Sequence, residues 1–105
     1  MSIYSTLFYS ASAPNGSTAA YTVPAGAVAV VRDMEAFNST GAAIAISITR
    51  NVAGGTQSFL WVIEVLATQT WSQWKGRAVL NAADVLEVNT NAVGVYFHIS
   101  GYLLS

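Results

Sequence analysis

Residues 71–88 read Trp-Ser-Gln-Trp-Lys-Gly-Arg-Ala-Val-Leu-Asn-Ala-Ala-Asp-Val-Leu-Glu-Val, and the reading of this stretch decides the fold. Trp71 and Trp74 lead into Lys75-Gly76-Arg77 and a short apolar run, Ala78–Leu80. Asn81-Ala82-Ala83-Asp84 has the composition of a turn, and Val85–Val88 is strand-like again. The pattern predicts strand, turn and strand, a hairpin with aromatic residues at its entrance. It carries two of the chain's three Trp and two of its four Lys and Arg.

The same period of two extends outward in both directions. In Ala43–Arg50, Ile44, Ile46 and Ile48 point to one side and Ala43, Ala45, Ser47 and Thr49 to the other. Three β-branched residues at that spacing disfavour a helix and suit a half-buried sheet. Val95, Phe97, Ile99 and Leu103 share one face of a closing strand, with Tyr96, His98, Ser100 and Tyr102 opposite. That last strand is expected inside the fold. In Ala27–Phe37, Val28, Val30, Met34 and Ala36 share a parity that Arg32 interrupts, while Asp33 and Glu35 take the other face. Phe59–Ala67 is apolar on both parities, with Leu60, Val62 and Leu66 filling the second. A strand buried against the core on one face and a neighbouring subunit on the other fits it; a short helix is the alternative.

Between these segments lie turn signals. Pro24-Ala25-Gly26 predicts a type I turn after a short strand at Tyr21–Val23. Asn51–Gln57, with Gly54-Gly55, predicts a hairpin turn, and Asn89–Gly94 another turn. Residues 1–18 read as a first strand or arm, Ile3–Tyr9, followed by a loop at Ser10–Thr18. About eight short strands with turns between them, and no convincing helix of ten residues, predict a single all-β domain over 1–105, an antiparallel β-sandwich.

The chain has 105 residues, 53% hydrophobic and only 9% charged, where roughly 25% is usual. With so few charges, much of the surface is expected to lie against other subunits. A net charge of −1 offers little field for nucleic acid or an anionic membrane, so neither is an expected partner. The most apolar run falls well short of the ~20 residues of a spanning helix, and the N-terminus lacks a signal-peptide pattern.

Catalysis and cofactors are not expected. There is no cysteine and one histidine, His98, so neither a thiolate site nor a histidine cluster can form. Asp33 and Glu35 share a face as a glycosidase pair would, but a solvated or subunit-contacting strand face is the better explanation of them. No nucleophile-elbow or phosphate-cradling glycine motif occurs. What remains is contact chemistry. Trp71, Trp74, Lys75 and Arg77 combine residue types favoured at interface hot spots. Leu60 and Val62 on the doubly apolar strand, and Tyr96 and Tyr102 on the closing strand, complete the candidate interface. The three Trp and five Tyr would also serve as stacking platforms for sugars.

Two segments carry a resemblance. Tyr21–Val31, continuing into Arg32-Asp33, resembles the T-V-P-A-G-x-x-A-V-V-R-D opening of small virion proteins of tailed bacteriophages. Trp74, Gly76, Arg77, Val79, Leu80, Asp84, Leu86 and Val88 match, in order, the W-x-G-R-x-V-L-x-x-G-D-x-L-x-V hairpin of the same proteins, with Ala83 where glycine is usual. Ser100-Gly101-Tyr102-Leu103 is similar to their S-G-Y-x-L ending. The resemblance implies a jelly-roll-like sandwich working by assembly, as a head-decoration or minor capsid protein. Its partners would be the major capsid protein and copies of itself, most simply a trimer, on the capsid surface of a virion made in the host cytoplasm. The alternative it implies is a tail or baseplate component touching host-surface glycans.

Overall fold

The computed structural model describes residues 3–52 and 57–105. Eight strands run in order: β1 (Ile3–Ala13), β2 (Gly16–Thr22), β3 (Val28–Asn38), β4 (Ile44–Asn51), β5 (Gln57–Leu66), β6 (Trp71–Leu80), β7 (Val85–Thr90) and β8 (Val95–Leu104). They form two antiparallel four-stranded sheets, β1-β8-β3-β6 and β2-β7-β4-β5, so the expected β-sandwich is the fold. Its core is the layer between the sheets. Met34, Phe97, Ile99 and Leu80 come from the first sheet, and Ile44, Ile46, Ile48, Leu86 and Val88 from the second.

β8 follows its alternation as read, and β4 does so for its isoleucines, although Ser47 and Thr49 on its other side are buried as well. Ile44, Ile46 and Ile48 are all buried, as are Val95, Phe97 and Ile99, and β8 lies between β1 and β3. β4 and β5 pair antiparallel as expected, although the Gly54-Gly55 turn between them lies outside the described residues.

Four expectations are corrected. First, 71–88 is not a hairpin: β6 pairs with β3 in one sheet and β7 with β2 and β4 in the other. The turn between them is a corner, docked on the end of β2. Val23 N–H donates to the Asp84 carbonyl (3.0 Å), and Ala83 N–H donates to the Val23 carbonyl (2.9 Å). Asp84, 2% exposed, accepts the Asn81 N–H at 2.8 Å and the Arg50 Nε–H at 3.0 Å, tying the corner to β4. Ala83 takes φ +70°, the left-handed backbone that glycine enters without steric cost.

Second, Ser10–Thr18 is mostly strand. Ser10–Ala13 pair with Val95–His98 of β8, Gly16–Thr18 pair with β7, and only Pro14-Asn15 connects them. Small residues of weak intrinsic strand preference are held there by their partners. Third, the Pro24 turn closes from the Pro24 carbonyl to the Ala27 N–H at 3.2 Å. Gly26 thus falls at the third position, with φ +78°, as a type II turn demands.

Fourth, the parity of β3 reverses midway. The register slips between Val31 and Asp33 against both neighbours: against β8 Arg32 is an extra, bulged residue, while against β6 it faces two residues, Gly76 and Arg77. Before it Ala29 and Val31 face the core; after it Met34, Ala36 and Asn38 do. Val28 and Val30 therefore lie on the face opposite to Met34, not with it. Asn38, fully buried at the far end of β3, donates to the carbonyls of Ala42 (2.7 Å) and Leu66 (3.0 Å), bridging the sheets there.

The bulge brings the β3 backbone against β8 at Gly101, the partner of Val31. A Cβ on Gly101 would overlap the Val30 carbonyl oxygen and stand 3.0 Å from the Val31 Cα. Backbone cannot yield as a side-chain tip can. Gly101→Ala is expected to cost about 2–3 kcal/mol in urea unfolding, while Gly41→Ala, with open space around it, stays within about 0.5 kcal/mol.

Candidate interaction site

The outer face of the first sheet is built from cross-strand rows, each fixed by register. Ser12, Tyr96, Phe37 and Trp71 are successive partners across β1, β8, β3 and β6. Neighbouring strands lie ~4.8 Å apart, so three aromatic residues occupy adjacent positions across the sheet. They are 49%, 38% and 61% exposed in that order. Two residues along each strand, Ser10, His98, Glu35 and Gln73 form a polar row. Gln73 Nε2 donates to Glu35 Oε1 at 3.1 Å, and His98 Nδ1 lies 3.4 Å from Ser10 Oγ. A cleft of about 190 Å³ lies between these rows, lined by Glu35, Phe37, Trp71, Tyr96 and His98.

The next row is ionic. Asp33 partners Lys75 and Ser100, and Lys75 Nζ stands 3.7 Å from Asp33 Oδ1, both well exposed. Such a pair contributes little to stability. Beside it the bulge thrusts out Arg32 opposite Gly76 and Arg77 of β6. Arg32, Asp33, Lys75, Gly76 and Tyr102 line a shallow, polar hollow there.

A second surface lies on β5, an edge strand of the other sheet. Trp61 and Leu66 face the core, and the Trp61 Nε1–H is satisfied by Glu64 Oε1 at 3.1 Å. Phe59, Val62, Ile63 and Val65 are all more than half exposed. Register slips flank Trp61 on both sides. Bulges of that kind blunt an edge against strand addition, so contact here would run through side chains rather than backbone.

The residues singled out from sequence divide between these surfaces. Trp71, Lys75, Arg77, Tyr96 and Tyr102 are exposed on the first sheet, and Val62 is exposed on β5 with Leu60 half-buried. Trp74 is different: it partners Met34, is half-buried against the core, and its indole covers Gly76, where a Cβ would meet it at 3.0 Å. Sequence reasoning did not single out Phe37 as the middle ring of the aromatic row, although its parity places it with Asp33 and Glu35 on the outer face; what the bulge hid is that Val28 and Val30 share that face. Arg32, the charge breaking an apolar parity, was the signal that marked the bulge.

No protein-family model and no curated protein sequence matches this chain. Solved structures do share its fold. One is a chain of the T13 IBDV viral particle, at TM-score 0.65 and 13% identity, over 97% of this chain and 30% of that one. Another is a chain of infectious bursal disease virus, Gx strain, at TM-score 0.56 and 11% identity, over 97% of this chain and 31% of that one. The chain thus spans about a third of the length of each.

The two sides of β5 should separate stability from contact. Trp61→Ala is expected to lose about 3–5 kcal/mol in urea unfolding. Val62→Lys should stay within about 0.5 kcal/mol while lowering any self-association seen by sedimentation.

Proposed function

We propose that this chain is a structural protein of a virion, in a tailed bacteriophage, and that it decorates the head by binding the major capsid lattice and copies of itself. The observation that carries the reading is β5: an edge strand whose Phe59, Val62, Ile63 and Val65 are exposed in a chain only 9% charged. A side-chain surface of that kind is covered by a partner in a working assembly. Two chains of an icosahedral virus share the fold, and the phage-like motifs agree with it. The strand order, with each connection except β4–β5 crossing between sheets, is read here as a jelly roll of two Greek keys. A trimer is the simplest cluster for such a site on an icosahedral shell. No reaction chemistry is assigned to the chain.

A tail or baseplate position is the second reading, favoured by the exposed aromatic row on the first sheet. Quantitative mass spectrometry of purified particles separates the two. Hundreds of copies, scaling with the major capsid protein, are expected for head decoration; a few tens or fewer would move the chain to the tail. Absence from particles would overturn both. A phage carrying Val62→Lys and Val65→Lys together is expected to lose most of these copies while the chain still folds.

A further inference from the structure

The outer face of the first sheet differs from the rest of the molecule in charge as well as in shape. Three of the four basic residues, Arg32, Lys75 and Arg77, are gathered at the β3 bulge, with Asp33 and Glu35 the acids of the same sheet. That is three minus two, or +1. The remainder holds Arg50 against Glu64, Asp84 and Glu87, which is −2, and the sum is the chain's −1. Arg50 is engaged by Asp84 at 3.0 Å. Arg32 and Arg77 have no ion pair among the described residues, and Lys75 has only the 3.7 Å contact. The positive end of the molecule therefore coincides with the sheet that carries the aromatic row.

We propose that this face binds an acidic oligosaccharide, with a sugar ring stacked on Trp71, Phe37 and Tyr96 and its carboxylate or sulfate groups held at Arg32, Lys75 and Arg77. Each part of such a ligand has its counterpart. Aromatic faces take the apolar C–H face of a pyranose ring. The row beside them, Glu35, Gln73 and His98, presents acceptors and donors where ring hydroxyls would fall, and the cleft between the rows is lined by both kinds of group. From Phe37 to Asp33 is four residues along β3, ~13 Å of strand. A chain of a few sugar units spans it and reaches the bases. A single sugar does not.

Two competing occupants fit less well. Single-stranded nucleic acid also uses rings and bases, but it carries a charge on every nucleotide and asks for a basic groove along the strand; here Glu35 sits beside the rings and Asp33 among the bases. A second copy of this chain would set like-charged bulges against each other if the two faces met symmetrically.

The proposal stands apart from the virion reading, since it concerns the isolated chain. Its test is titration of the folded protein, followed by NMR at the Trp71 indole N–H, with hexagalacturonate, a heparin-derived hexasaccharide, neutral maltohexaose and a thymidine hexanucleotide. At least one acidic sugar is expected to shift that signal saturably and bind more tightly than maltohexaose, weakening as salt rises. Trp71→Ala, whose side chain is 61% exposed, should weaken binding about tenfold without unfolding the protein, as loss of a hot-spot ring does. Arg32→Gln with Arg77→Gln should abolish the preference over maltohexaose. The proposal is overturned if neither acidic sugar gives a saturable shift, or if maltohexaose binds as well. It is also overturned if binding survives Trp71→Ala unchanged, or if the hexanucleotide binds more tightly than both sugars. Any of these results leaves the copy number in particles as a separate question.

Discussion

One extra residue in β3 governs the molecule. Strand side chains alternate strictly, so a single unpaired residue exchanges the two faces for the rest of the strand. Because Arg32 is that residue, Ala29 and Val31 can face the core on one side of it and Met34 and Ala36 on the other. Without the slip, Glu35 and Phe37 would turn inward and Met34 outward. Arg32 is the extra residue against β8, β6 answers it with a further residue of its own at Gly76-Arg77, and the closeness of β3 to β8 is why Gly101 carries no side chain. Packing, the outer aromatic row and the gathered bases follow from one local irregularity.

That constraint also separates what the sequence discloses from what it hides. β4 and β8 were legible because their alternation is uninterrupted and their buried parity is rich in β-branched and aromatic side chains. β3 was legible as a strand but not as a face, since a bulge leaves composition untouched and changes only the count. The stretch 71–88 was legible as strand, turn and strand, yet not as a corner. A hairpin and a sheet-crossing corner share the same local pattern, and they differ in distant pairing: β6 with β3, β7 with β2 and β4. Ser10–Ala13 was hidden for a related reason, being held as strand by β8. Of the outer face, Trp71, Tyr96 and Tyr102 could be named from type and Phe37 follows from the parity it shares with Asp33 and Glu35, whereas Arg32 needed the bulge.

The residues that carry the phage-like resemblance fall at points of structural necessity. Pro24 and Gly26 make the turn into β3; Asp84 holds the corner through Arg50 and Asn81; Gly101 gives way to the bulge; Trp74 lies over Gly76. These positions are demanded by the winding itself. The motifs therefore speak to the same property as the likeness to the viral-particle chains, the path of the chain through two sheets, and the two kinds of similarity are not independent witnesses to a role.

A role has to be argued from side chains the fold does not need. Val62, Ile63 and Val65 on β5, and Trp71 and Tyr96 on the first sheet, stand in water while the core is already filled by Trp61, Leu66, Phe97 and their neighbours. Leaving large apolar groups exposed on a chain with so few charges works against its own solubility. The two sets also differ in kind. The β5 set is aliphatic with one aromatic ring and borders a single carboxylate already engaged by Trp61, which suits a dry contact with another protein. The other set is a cross-strand row of exposed rings flanked by hydrogen-bonding groups and then by bases, which suits a wet, polar and anionic ligand. An edge suited to another protein and a face suited to an anionic ligand are thus different chemistries on one small sandwich.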